Sequence, residues 1–223
     1  MPRNRRSLRI LTAAGAVSVS LSVCDLAMGY DITTCGQTVP KGEVGIVQAD
    51  LDCPQGVDAR IVTLEPKAQL DLNGHTLNGG AAGVECLGKA PVCTIRGPGV
   101  ISGSLYLGVF TRIGVRRLVI ENVTLSDHEV TAVMTGGARR VELRNVALDR
   151  NGLSLVGDPP EILALRGAVE NTRRLELENV TGTDNVANVF SAFKIRGANV
   201  TLTDNFGGMH SASVYPSSWV PAM

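Results

Sequence analysis

Residues 118–128 read LVIENVTLSDH, residues 141–151 read VELRNVALDRN and residues 175–185 read LELENVTGTDN. In each, two apolar residues spaced by two precede an Asn-Val pair, which falls at Asn122, Asn145 and Asn179. Fainter copies start at Leu70 (LDLNGHTL), Cys93 (CTIRGPGV) and Val200 (VTLTDNFG), giving start-to-start spacings of 23, 25, 23, 34 and 25 residues. Self-similarity at this period identifies stacked units, each burying its apolar side against the next. The spacing of 34 reads as a unit carrying an insertion around Asp158-Pro159-Pro160.

The unit is made of strands. Apolar residues recur at i and i+2 (Leu118 and Ile120, Val141 and Leu143, Leu175 and Leu177), and no segment repeats at the 3.6 spacing of a helix. The fifth residue of the six copies is Gly74, Gly97, Asn122, Asn145, Asn179 and Asp204. Gly, Asn and Asp tolerate a left-handed backbone, so the same sharp bend is expected in every coil. A third strand is expected over 84–87, 107–110, 131–135, 162–166 and 189–195, several ending at a second glycine column (Gly88, Gly114, Gly136, Gly167, Gly197). Three parallel sheets wrapped around Val, Ile and Leu follow, with coils about 4.8 Å apart. The fold class is therefore all-β, a three-sheet parallel β-helix of about six or seven coils.

The chain has 223 residues, enough for one sizeable domain. Arg3, Arg5, Arg6 and Arg9 precede the apolar run 10–23, and Ala27-Met28-Gly29 offers a small-x-small cleavage site. That is the pattern of a secretory signal peptide over residues 1–29, and the run is too short to span a bilayer. A lipid-modified Cys24 is the weaker alternative. Residues 30–57 form an N-terminal cap segment, 58–208 the β-helix and 209–223 a tail in which Tyr215 and Trp219 are candidates to cover the last coil. The chain is thus expected in a secreted, periplasmic or cell-surface location, with no transmembrane segment after cleavage.

Without residues 1–29, 17 basic and 20 acidic residues are left. This mildly acidic balance excludes the basic footprint that nucleic acid requires. Export permits disulfides, and four cysteines allow three connectivities. Proximity favours Cys35 with Cys53 and Cys86 with Cys93. The absence of a Cys-x-x-Cys spacing argues against zinc.

With these features the chain resembles the secreted right-handed parallel β-helix superfamily, which includes pectate lyases and polygalacturonases. The resemblance covers residues 44–208. Its most specific parts are the asparagine column and DLNGHTLNGG at 71–80, followed by RGPGVISGS at 96–104. It implies a right-handed coil and a polysaccharide partner, held in a groove along the first sheet and its flanking loops. On this chain that sheet is expected to place Arg166, Lys194 and Arg196 on adjoining coils. A lyase acting on an acidic glycan needs one cation to neutralise the uronate carboxylate and another group to abstract the α-proton. Lys194 and Arg196 are therefore the candidate catalytic residues, with Arg166 and Asp184 as candidate substrate contacts. The competing reading is a non-catalytic structural or adhesive β-helix.

Polygalacturonases carry Asn-Thr-Asp, Asp-Asp, Gly-His-Gly and Arg-Ile-Lys in order. This chain has Thr183-Asp184-Asn185, Gly208-Met209-His210 and Lys194-Ile195-Arg196, so no hydrolytic residue carries over. Glu121, Arg144 and Glu178 are expected to stack in one charged column, and Asp71, Glu142 and Glu176 in the next. The second column admits calcium, although a solvated face is the preferred reading, and no other cofactor is evident. Asp158 and Glu161 lie in the insertion, the best candidate for a functional loop. His75, His128 and His210 read as turn histidines. Asn122, Asn179 and Asn199 match the glycosylation sequon, but the first two are required at the bend. The oligomeric state is left open.

Overall fold

The computed structural model describes residues 29–56, 59–88, 91–152, 167–186, 188–205 and 209–216. Outside them lie nearly all of the expected signal peptide, Asp158, Glu161, the expected strand 162–166 with Arg166, and Trp219. The side chains of His210 and Tyr215 are likewise outside the described set.

The described residues form strands and no helices, in the order β1 (Tyr30–Ile32), β2 (Gln37–Val39), β3 (Val44–Val47), β4 (Leu51–Cys53), β5 (Arg60–Leu64), β6 (Gln69–Asp71), β7 (Thr76–Gly79) and β8 (Ala82–Cys86). They continue as β9 (Val92–Ser102), β10 (Leu107–Thr111), β11 (Arg117–Ser126), β12 (Thr131–Thr135), β13 (Arg140–Asp149), β14 (Gly167–Thr183), β15 (Asn188–Thr203) and β16 (Met209–Pro216). The strands pair in parallel, each with its counterpart one coil away, and wind into an all-β parallel solenoid of about six turns.

The pairings fall into three stacks. The first runs β2, β5, β8, β10, β12 and then the start of β14. The second runs β1, β3, β6 and the first halves of β9, β11 and β13. The third takes β4, β7 and the second halves of the same long strands. Because β1 to β4 pair onto the following coil, residues 30–53 are laddered directly onto the solenoid. Disulfides join Cys35 to Cys53 and Cys86 to Cys93.

Parallel register turns the sequence repeat into columns. Leu70, Ile95, Ile120, Leu143 and Leu177 face one another on successive coils, all at most 4% exposed. Cys93, Leu118, Val141, Leu175 and Ile195 form the column beside them. Each fully buried Leu or Ile contributes roughly 1.5–3 kcal/mol, so these two columns account for much of the stability of the second stack.

The bend between the second and third stacks is left-handed at Asn122, Asn145, Asn179 and Asn199, with φ of 59°, 51°, 52° and 53°. Their amides join into a ladder: Asn145 Nδ2 donates to Asn122 Oδ1 at 2.9 Å, Asn179 to Asn145 at 2.8 Å, and Asn199 to Asn179 at 2.8 Å. Asparagine supplies both what the left-handed bend tolerates and a side chain that donates to one neighbour while accepting from the other.

Three expectations are corrected here. Asp204 is left-handed but belongs elsewhere: Val180 pairs with Val200, which puts Asn199 in the bend. The last spacing, Leu175 to Ile195, is thus 20 residues and not 25. Gly97 occupies the bend without a positive φ. Glu121 pairs with Arg96 and Val123 with Gly99, so Gly97-Pro98 turns the corner with one extra residue. Finally, the first-stack strand of the inserted coil pairs from Gly167 onward, so Gly167 opens this strand and does not close one, and Gly197 lies opposite Leu177 on the second stack.

The ladder makes a quantitative expectation. Asn145→Gly keeps the bend and removes both amide hydrogen bonds, a loss of about 1 kcal/mol at this exposed site. Asn145→Ala adds the cost of a left-handed alanine, about 1 kcal/mol more. Denaturant unfolding of the two variants reads the difference, and equal losses would mean that backbone conformation is not what asparagine provides.

Candidate functional site

Register also fixes three outward columns on the second stack. The first is Arg117, Arg140, Arg174 and Lys194; the second is Val119, Glu142, Glu176 and Arg196. The third is Asp71, Arg96, Glu121, Arg144 and Glu178. Asp71 therefore stacks with Glu121 and Arg144 and not with Glu142, because Leu70 pairs with Ile95 instead of Cys93.

Glu142 is the centre of this face, its side chain 1% exposed. It accepts a hydrogen bond from Arg117 Nη2 at 2.7 Å and lies 2.8 Å from Arg140 Nε and 2.7 Å from Arg144 Nη2. Burial pushes its carboxyl up, but the Arg117 hydrogen bonds and the charges of Arg117, Arg140 and Arg144 outweigh burial and hold it below the usual range. Arg140 Nε also donates to Glu176 at 3.0 Å, and Glu176 lies 2.6 Å from Arg174 Nε. Arg144 Nη1 meets Glu121 at 2.5 Å, and Glu121 lies 3.6 Å from Arg96. These half-exposed pairs contribute little singly, about 0.2–1 kcal/mol, but together they set out guanidinium and carboxylate groups at one-coil intervals. A hollow of about 430 Å³ opens among Arg140, Arg144, Arg174, Glu176, Glu178 and Arg196.

Lys194 and Arg196 thus lie on the second stack, not the first, and on a single strand, β15. Arg196 is exposed and faces into the hollow; Lys194 pairs in register with Arg174. Asp184 is left-handed and follows the third stack, on a different edge of the coil from Lys194 and Arg196. It belongs to a second bend column with Gly79, Gly103, Asp127, Arg150 and Asp204, all at positive φ. Arg150 donates to both Asp127 carboxylate oxygens, at 2.7 and 2.8 Å, and thereby lowers the Asp127 pKa. Among the described residues no group of three or more His, Cys, Asp and Glu side chains is placed to hold a metal ion.

One position after this bend runs a buried ladder that the sequence reading missed. Asn151 Nδ2 donates to Asn185 at 2.9 Å and Asn185 Nδ2 to Asn205 at 2.8 Å, and each also bonds a backbone carbonyl of the preceding coil. The signal was present as Arg150-Asn151, Asp184-Asn185 and Asp204-Asn205. His128 takes the next place in this ladder and is completely buried, so it is not a surface turn residue. Its Nδ1 accepts from the Ser104 amide at 3.3 Å, which assigns the proton to Nε2, and Nε2 has no hydrogen-bond partner among the described residues. His75, by contrast, sits at a surface turn with Nδ1 3.3 Å from Asp50.

A second missed pattern is the doublet Arg116-Arg117, Arg139-Arg140 and Arg173-Arg174 on successive coils. The second member of each is ion-paired as described. The first members, Arg116, Arg139 and Arg173, are exposed and form no ion pair with any described residue.

No protein-family model, curated protein or solved structure matches the chain. Among the described residues no helix is long and apolar enough to cross a membrane.

Burial depresses the His128 pKa from 6.5 to about 4, against the weaker pull of the Asp127 charge. The unfolded chain therefore takes up the proton first. The stability that neutral His128 contributes is whole above pH 6.5 and declines by about 3 kcal/mol between pH 6.5 and 4. His128→Asn, which continues the amide ladder, should remove that part of the acid sensitivity. Unfolding free energies at pH 7 and pH 4.5 test this, and an identical pH dependence in both proteins would refute it.

Proposed function

We propose that the protein is an exported right-handed β-helix that recognises extracellular or cell-wall polysaccharide along the outer face of its second stack. The observation that carries this reading is the set of guanidinium and carboxylate groups repeated at one-coil intervals in adjacent columns around the hollow that Arg196 lines. A sugar chain lying along the axis needs donors and acceptors repeated at a spacing comparable to its own residues, and this face offers both. Export is supported by the two disulfides and by the basic, apolar and small-residue pattern of the N-terminus. Recognition without catalysis is favoured because Arg117, Arg140, Arg144 and Arg174 are held by carboxylates, and the guanidinium of Arg196 does not act as a base.

A second reading, lyase chemistry by Lys194 and Arg196 on an acidic glycan, draws on Arg196 being exposed at the hollow. The purified protein should be incubated with polygalacturonate, alginate, chondroitin and dextran, with and without calcium, recording binding and the absorbance of unsaturated product. Saturable binding to at least one polymer without product is expected, and binding to none would overturn the proposal. Unsaturated product that disappears in Lys194→Ala or Arg196→Ala would instead establish the lyase reading.

A further inference from the structure

We infer that Arg116, Arg139 and Arg173 form a ridge that binds a linear uronate polymer running parallel to the solenoid axis. This deepens the proposed function, since it rests on polysaccharide recognition and names the class of polymer and a site distinct from the face described above.

The ridge follows from register. The Arg139 amide donates to the Arg116 carbonyl at 3.0 Å and the Arg173 amide to the Ala138 carbonyl at 3.2 Å, so the three arginines occupy the same place on three successive coils. Like charges stacked at the coil spacing of about 4.8 Å repel one another. Elsewhere the fold relieves such repulsion. Glu142 and Glu176 bind Arg117, Arg140 and Arg174, while Glu85, 4% exposed, sits between Arg60 at 3.1 Å and Arg112 at 2.5 Å. No described carboxylate does this for Arg116, Arg139 and Arg173. A polymer bearing a carboxylate on each sugar supplies the missing charges along the same axis, and each guanidinium fork fits a carboxylate in two-point geometry.

The ground beside the ridge suits a sugar ring. Arg116 and Arg139 line a hollow of about 600 Å³ together with Ile113, Gly114, Gly136 and Gly137. Next to it is a more apolar hollow of about 470 Å³, bounded by Phe110 and Ile113. Ile113 is 84% exposed, an unusual cost for an isoleucine with nothing to cover it. Gly136 allows this close stacking, since a Cβ there would lie 2.6 Å from the Ile113 nitrogen. Two guanidinium groups and the exposed Ile113 lining one hollow match the carboxylate edge and the C–H face of a uronate.

The test is calorimetric titration of polygalacturonate into the intact protein, into Arg116→Ser/Arg139→Ser/Arg173→Ser, and into Ile113→Ser, at several salt concentrations. The triple variant should bind at least tenfold more weakly, with a shallower salt dependence reflecting about three lost charge contacts. Ile113→Ser should weaken binding without changing the salt slope. Thermal unfolding of the triple variant should be unchanged or raised, because repulsion is removed and nothing is uncovered. If the unaltered protein binds polygalacturonate and the triple variant binds it equally well, the ridge is refuted while polysaccharide recognition stands. Binding only to dextran also refutes the ridge alone, whereas binding to no polymer refutes both. Preference for single-stranded DNA over polygalacturonate would refute the uronate assignment.

Discussion

The structure depends on left-handed residues placed at the same point of four successive coils and tied to one another by side-chain amides. A parallel β-helix has to turn sharply several times per coil, and any drift in the turn would displace the columns stacked above it. Asn122, Asn145, Asn179 and Asn199 prevent that drift because each amide from Asn145 onward donates to the one on the coil before. The series Asn151, Asn185 and Asn205, its first two members buried, does the same after the other bend, where Asp127, Arg150, Asp184 and Asp204 are left-handed. His128 extends this inner ladder with a ring that meets one neighbour but leaves Nε2 unpartnered.

Once register is fixed, electrostatics becomes a pattern in two dimensions. Each charged side chain has neighbours along its own strand and on the coils above and below. Glu142 illustrates the result: it is buried on an outward face because Arg117, Arg140 and Arg144 close over it. The same geometry that lets one carboxylate serve three arginines also exposes the row where no carboxylate is provided.

The strand period, the bend and the solenoid class were legible in LVIENVTLSDH and its copies, because alternation and Asn-Val pairs are local signals. What misled the alignment was a change of residue at a conserved geometry. In the last clear coil Gly197 stands where Leu177 and Leu143 stand below it, so the apolar alternation fails and Asn199 is hidden behind it. Near the start, Gly97-Pro98 adds one residue at the bend and the preceding bend, between Leu70 and Thr76, adds another, which together shift Asp71 by two positions against the later copies. Lys194 and Arg196 were recognisable as outward-facing, but their stack was misassigned because β15 runs through the corner without a glycine to mark it. The arginine doublets needed no structure to be noticed. Their meaning did, since only register tells which member of each pair meets a carboxylate.

Amide hydrogen exchange with and without polygalacturonate tests most directly the claim that a polymer lies along the arginine ridge. The account predicts slowed exchange in the turns at 112–116 and 136–139, and no change at the asparagine bends at 122, 145 and 179. Slowing confined to those bends, or the same slowing when the three ridge arginines are replaced, would contradict it.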